Sequence, residues 1–333
     1  MLSFAARRAG SLLVVLLALT VLVFLISRYG GGDPVRSYLG ANASADAVAA
    51  MRARLGLDAP VWVQFWDYLT RLAHFDFGIS LGTRRPVSAE LAQRIPATAE
   101  LALWTLAFSV AIGVLLARVY SLRGRFSGVL RLILFSGASA PSFLLATAGV
   151  LIFFGSLGIL PVSGRTSYGA SSGLTGLYVL DGLLTGNLPY AADAARHLVL
   201  PALAAGLGPG VALARVLADG LGTALRSGYA RTARSLGESE PAILWRHSLR
   251  NAASPALSLL GVQLGMMLSS LVVVEEIFSW NGLGQFLVRA ISGADTNTVA
   301  TISLMLGACY VVLNALVDLA LALIDPRIRL GPG

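Results

Sequence analysis

The stretch Leu101-Ala102-Leu103-Trp104-Thr105-Leu106-Ala107-Phe108-Ser109-Val110-Ala111-Ile112-Gly113-Val114-Leu115-Leu116-Ala117 carries no charged residue. Crossing a hydrocarbon core of about 30 Å takes about 20 helical residues, and only a backbone that satisfies its own hydrogen bonds survives there. This stretch therefore reads as a membrane-spanning helix. Five comparable windows lie around it: Ala9 to Ser27, Leu132 to about Leu157, Leu198 to Ala214, about Ala256 to Val274, and Thr298 to about Ile324, the last crossing Asp318. The interval from Thr166 to Leu180 is also uncharged, but its glycines and serines mark a loop. The expectation is an all-α, polytopic membrane protein with six transmembrane helices.

Composition agrees. Of 333 residues, 56% are hydrophobic and 13% charged, against roughly 25% charged in a soluble chain; the mean hydropathy is +0.75. The formal charge of +8 would point to nucleic acid in a soluble protein, but here the basic residues punctuate apolar runs, so they orient the chain in a lipid bilayer and no nucleic-acid partner is expected. All 25 basic residues are arginine, so the chain supplies no P-loop or Schiff-base lysine, and any ATP must bind another subunit. The single Cys309 excludes internal disulfides and thiolate zinc clusters, and the dispersed His74, His197 and His247 point away from a metal site. The first window lacks a small-residue cleavage site after Ser27 and reads as a retained anchor rather than a signal peptide. With the N-terminus inside, the short inner segments hold 14 arginines and the longer outer ones 11, which places both termini in the cytoplasm.

The outer segment 28–97 reads as a small external cap, followed by a core domain over 98–333 and preceded by the N-terminal tail and first span over 1–27. Asp58 before Pro60 resembles a helix N-cap, leading into Phe65, Trp66, Tyr68 and Leu69. These aromatics form either an interfacial belt or a contact with a partner or cargo. In the inner segment 215–254, residues 227–237 form a short helix that Gly237 ends, and Glu240-Pro241 starts another running to Leu249. Ala230 and Ala233 would let another protein approach closely while Arg231 and Arg234 flank the contact; the alternative is an amphipathic helix on anionic headgroups.

Candidate pathway residues are Pro141 with Ser142 beside it, Glu275, Glu276 and Asp318. Pro141 would kink the third span, exposing a carbonyl to a cavity or to helix packing. Gly206, Gly208, Pro209 and Gly210 make the fourth span flexible or closely packed. Asp318 pairs with Asn314 one turn away, a neighbouring subunit or a cavity, and the two glutamates meet a cationic cargo group or interfacial water. Gly78-Ile79-Ser80-Leu81-Gly82 and Gly169-Ala170-Ser171-Ser172-Gly173 match a nucleophile-elbow pattern, but neither follows a strand of an α/β repeat, so no enzymatic role is expected. A secondary transporter or channel would also use six spans and an intramembrane acid, without accounting for the cytoplasmic helix-turn-helix.

Tyr229-Ala230-Arg231-Thr232-Ala233-Arg234-Ser235-Leu236-Gly237 resembles the cytoplasmic coupling motif of ATP-binding-cassette importer permeases in its dipeptide, oligopeptide and nickel form, Y-x-R-T-A-R-x-x-G. His247-Ser248-Leu249-Arg250-Asn251-Ala252 resembles its continuation. The likeness covers nearly the whole chain, through Gly32-Asp33-Pro34, Leu55-Gly56-Leu57-Asp58, Asp76-Phe77-Gly78, Arg94-Ile95-Pro96-Ala97-Thr98, Ala140-Pro141-Ser142-Phe143, Leu160-Pro161-Val162-Ser163-Gly164, His197 to Pro201, Val274 to Gly284, and Asp325-Pro326-Arg327-Ile328-Arg329. The chain resembles the first of the two permease subunits in such importers. The resemblance implies a type I importer permease fold in the bacterial cytoplasmic membrane. It implies a second related permease subunit, cytoplasmic ATPases carrying ATP and Mg, and an extracytoplasmic substrate-binding protein, with no cofactor on this chain. Peptides are the implied cargo, with nickel chelates or other solutes as alternatives. Tyr229, Ala230, Arg231, Thr232, Ala233, Arg234 and Gly237 would then couple the ATPases to alternating access.

Overall fold

The computed structural model describes residues 2–29, 35, 44–54, 56–121, 140–171 and 173–324. Within them the chain is helical, and the β pairing is one isolated antiparallel bridge between Ile79 and Pro86. The segments containing Gly32-Asp33-Pro34 and Asp325 to Arg329, and the expected inner loop from 122, lie outside the described residues, as do Leu55, Ser172 and the side chain of Asp318.

Helix α1 runs Leu2–Tyr29, α2 Ala45–Arg54, α3 Val61–Ala73 and α4 Val87–Ser121. Helix α5 starts at Ser142 and passes into a π-helical turn, Val150–Ser156. After α6 (Tyr178–Leu184) come the long α7 (Leu188–Leu225) and the short α8 (Gly228–Ser235). Helix α9 (Glu240–Ala242) leads through a π turn, Ile243–Ser248, into α10 (Leu249–Ile277), and α11 (Leu283–Ser292) and α12 (Thr296–Ile324) follow. Four described helices are long and apolar enough to cross a membrane, at Val87–Ala117, Leu188–Leu225, Ser254–Ile277 and Thr296–Val317; Gly10–Ile26 and Ser142–Ser156 are shorter apolar helices.

Three local expectations are corrected. Pro141, at φ −58° and ψ 147°, is the N-cap of α5, so it begins that helix and does not kink it. Its ring needs no helical hydrogen bond there, which is why a helix start tolerates it. Pro60, not Asp58, occupies the N-cap of α3, with no side-chain cap, and Asp58 instead pairs with Arg52 at 3.6 Å. Helix α4 begins at Val87, inside the segment read as external cap, and continues through Pro96. Loop 161–177 matches its glycine- and serine-rich composition, with α6 taking its last residues.

Helix α7 is the centre of the packing. Asn187 caps it by accepting from the Tyr190 amide at 3.2 Å, and Pro189 fits the first turn, where its missing N–H costs nothing. Its window is 67% buried, against 28% or less for the other three. Gly206 and Gly210 allow this by touching α4: a Cβ on Gly206 would lie 3.0 Å from the Thr105 carbonyl, and one on Gly210 2.9 Å from Ile112. Ser109 Oγ sits in the same contact, 2.8 Å from the Thr105 carbonyl and 3.0 Å from the Gly206 carbonyl. Of the two readings of these glycines, close packing holds. The adjoining core gathers Leu101, Leu198, Ala202, Leu271, Val274, Phe278 and Trp280.

Replacing Gly210 with valine is expected to force α4 and α7 apart at a cost of about 1–3 kcal/mol, the usual range for overpacking. Thermal unfolding of the detergent-solubilised chain should show a lowered midpoint; an unchanged midpoint would disprove the tight contact.

Candidate functional site

The short helix α8 is built from local signals. Ser227 is its N-cap, with Oγ 3.4 Å from the Ala230 amide. Gly237 closes it at φ +83°, a conformation open to glycine, while the amides of Gly237 and Glu238 bond back to the carbonyls of Arg234 and Ala233 at 3.0 and 3.1 Å. Ala230 and Ala233 are buried, packed on Ile243 and Leu225 of the same chain. This corrects the expectation that the alanine face is offered to another protein: it docks α8 onto its own scaffold. What α8 presents outward is Tyr229, Arg231, Thr232 and Arg234, with Leu236 exposed just beyond its end.

Arg234 adds a polar brace. Its Nη1 donates to the Leu225 carbonyl at the end of α7 at 3.0 Å, and its Nη2 to Glu240 Oε2 at 3.0 Å, with Nε bonded to the other carboxylate oxygen. The Arg234 hydrogen bonds hold the Glu240 carboxyl below the usual glutamate range. One guanidinium thus joins the end of α7, α8 and the start of α9. The second helix does not stop near Leu249, as its sequence suggested; α9, the π turn and α10 run on without a break to Ile277, with Pro255 inside α10.

The other end of α10 carries a second constellation. Glu275 is fully buried and accepts from Thr98 Oγ1 at 2.6 Å, Gly284 N at 2.7 Å and Gln285 N at 3.1 Å. Thr98 Oγ1 in turn accepts from Leu283 N at 2.8 Å, and Trp280 Nε1 donates to the Ala97 carbonyl at 2.9 Å. The carboxylate therefore satisfies first-turn amides of α11, where a negative charge is favoured, and ties α4, α10 and α11 together. A Cβ on Gly282 would collide with it. Glu275 is not available to cargo, which corrects its assignment as a pathway residue; Glu276, beside it, is exposed.

Two anchors of this end were missed by sequence reasoning. Arg165 donates to Glu100 Oε2 at 2.6 Å and to the Gly176 carbonyl at 2.7 Å, with its guanidinium 3.6 Å from the Tyr178 ring centroid. Asp181, buried in α6, accepts from Ser171 Oγ at 2.9 Å, Thr175 Oγ1 at 2.7 Å and the amides of Thr175 and Gly176 at 3.0 Å. Burial works against its charge, but these donors prevail and its carboxyl titrates below the ordinary aspartate range. An acid in a Gly/Ser/Thr-rich stretch was the only available signal. Both serines of the elbow-like patterns are spoken for: Ser171 by Asp181, and Ser80 by Asp295, which accepts from its hydroxyl at 2.6 Å. His74 and His197 bond to the Thr70 and Asp193 carbonyls instead.

Residues 109–330 match the family described as binding-protein-dependent transport system inner membrane component, and residues 1–102 match its N-terminal counterpart. The dipeptide transport system permease protein DppB of Alkalihalophilus pseudofirmus is 35% identical over 332 residues, 99% of this chain and 100% of the relative. The di/tripeptide transport system permease protein DppB of Pseudomonas aeruginosa is 36% identical over 99% of both chains. The glutathione transport system permease protein GsiC of Salmonella typhimurium is 35% identical over 99% of both. The chain belongs to the binding-protein-dependent transport permease family. It is an inner-membrane transport subunit, and its function is translocation rather than catalysis.

Glu275→Ala should leave two buried amides and a hydroxyl without partners, each costing about 1–3 kcal/mol, so a strongly reduced yield of folded chain in detergent extracts is expected, and a normal yield would refute the pin. For Asp181, the folded pKa is depressed, so its contribution is present above the unfolded value and lost as pH falls through the folded one. Pepsin should cut loop 161–177 readily only below about pH 4, whereas Asp181→Asn should be cut at higher pH too.

Proposed function

We propose that this chain is one of two related permease subunits of an ATP-driven, binding-protein-dependent peptide importer, and that α8 is the element a cytoplasmic ATPase grips. The observation that carries the proposal is the attachment of α8: alanines packed on Ile243 and the Arg234–Glu240 pair fasten it to a helix continuous with a membrane span. A force applied to α8 is therefore delivered to α10. In this reading the chain has six spans with both termini cytoplasmic, α1 and α5 completing the four longer helices. The ATPases hold ATP and Mg, and this chain holds no cofactor. ATP does work because it stabilises one of two arrangements more than the other.

Tyr229, Arg231 and Thr232 form the outward docking face, and Ala230, Ala233, Arg234 and Gly237 keep the helix in place behind it. Peptide cargo is supported by the dipeptide, di/tripeptide and glutathione systems named for the relatives. Ser142, half-buried beside the exposed Pro141, and the exposed Glu276 are the pathway residues this reading retains, with Asp318 in α12.

Mild-detergent purification of the tagged chain from native membranes should recover a related permease and an ATPase; a stable, ATPase-free homo-oligomer would overturn the proposal. Within that complex, Gly237→Val places a β-branched residue at φ +83° and is expected to cut uptake at least tenfold with assembly intact. Arg234→Glu should raise the ATP hydrolysed per peptide imported, and adding Glu240→Arg should restore the ratio. Unaltered coupling in the single variant would refute the brace as a transmitting element.

A further inference from the structure

The external helix α3 has two apolar faces, and among the described residues packing within the chain uses one of them. Phe65 packs edge-on and Tyr68 at a tilt against Phe24 of α1, with ring centroids 5.2 and 5.6 Å away. Gln64 accepts from Arg28 and donates to the carbonyls of Ala59 at 2.6 Å and Leu57 at 3.0 Å. Beside that face runs a second apolar stripe at helical spacing: Trp62, Trp66, Leu69 and Ala73. Trp62 is 74% and Trp66 69% exposed. Asp67, Thr70 and Arg71, with the partly exposed Val63 among them, occupy the remaining side of the helix.

The attachment to α1 sets the depth of this stripe. Phe24 lies near the end of the apolar run Gly10–Ile26, and Arg28 and Tyr29 follow at once. Helix α3 is thus held where α1 leaves hydrocarbon for water. At 13 residues it measures about 20 Å, too short to cross a bilayer. The last turns of α1 also expose Leu22, Leu25, Ile26 and Tyr29, so the uncovered apolar surface at this level extends beyond α3 itself. Tryptophan concentrates at this boundary because its ring is apolar and its N–H needs a polar neighbour, and amphipathic helices lie in the same layer with the apolar side inward.

We infer that α3 lies flat in the headgroup layer at the C-terminal end of α1, with Trp62 and Trp66 inserted at the boundary between lipid headgroups and acyl chains. It serves there as a second anchor that fixes the tilt of α1. This rests on α1 crossing the bilayer and not on the coupling role of α8, so the two fail separately.

The test uses the full chain reconstituted with its co-purifying subunits in phosphatidylethanolamine–phosphatidylglycerol vesicles. Spin labels are placed at Trp62→Cys, Trp66→Cys and Thr70→Cys in a Cys309→Ser background. Oxygen should relax the labels at 62 and 66 more strongly than a water-soluble nickel chelate, with the order reversed at 70. Nickel access at 62 and 66 equal to that at 70 would overturn the inference, and so would exclusion of both reagents, which would mean a protein partner covers the stripe. As a measurement without labels, tryptophan emission should be quenched by lipids brominated near the headgroup, and the Trp62→Phe/Trp66→Phe chain should lose most of that quenching. An equal quenched amplitude in both chains would also overturn it.

Discussion

Helix α7 lies against α4 with only glycine between the two backbones at Gly206 and Gly210, and the remainder of the structure is arranged around that contact. In hydrocarbon no hydrophobic force draws helices together, because lipid tails are as apolar as leucine; close van der Waals contact and shared hydrogen bonds have to do it. Ser109, placed between two carbonyls in the seam, supplies the polar part. With α4 and α7 locked, α10 packs on α7, α5 fits against both, and α12 closes over α10. The polar pins at one end follow from the same geometry. Glu275 joins helices that the central pair has already brought close, while Arg165 and Asp181 fasten the loop before α6 to α4 and to α6 itself.

The apolar windows were legible because a bilayer demands length, and length without charge is visible in sequence. Leu101 to Ala117, Leu198 to Ala214 and Thr298 to Ile324 each fall inside a long helix. The starts and ends were less legible. Helix α4 begins at Val87 because the chain outside the membrane has no reason to unwind where hydrocarbon stops, and Pro141 reads as a kink or a cap depending on whether helix precedes it. The segment 227–237 was legible as a helix ended by Gly237, since capping is local. Which way Ala230 and Ala233 face was not, because small residues suit either a partner or the chain's own Ile243. The role of Glu275 was hidden for a similar reason: its partners Thr98, Gly284 and Gln285 become neighbours only after three helices pack.

The two ends of the molecule contrast in chemistry. At the α8 end the polar contacts are exposed, and surface ion pairs of this kind add little to stability; Arg234 and Glu240 orient more than they stabilise. At the Glu275 end the polar groups are buried and, Arg165 Nε apart, hydrogen-bonded to one another, so breaking one leaves its partners unpaired. One end is easy to move without unfolding and the other is not.

A single helical path leads from Glu240, beside the exposed brace, to Glu275, inside the buried pin, interrupted only by the π turn and by Pro255, which removes one hydrogen bond. If its two ends sense different ligands, thermodynamic reciprocity binds them. A factor by which a nucleotide-loaded partner at the α8 end changes affinity for a delivery protein at the other must equal the factor by which that protein changes affinity for the loaded partner. On that condition, a path that transmits force from one end also reports to it what is bound at the other, with no separate sensor required.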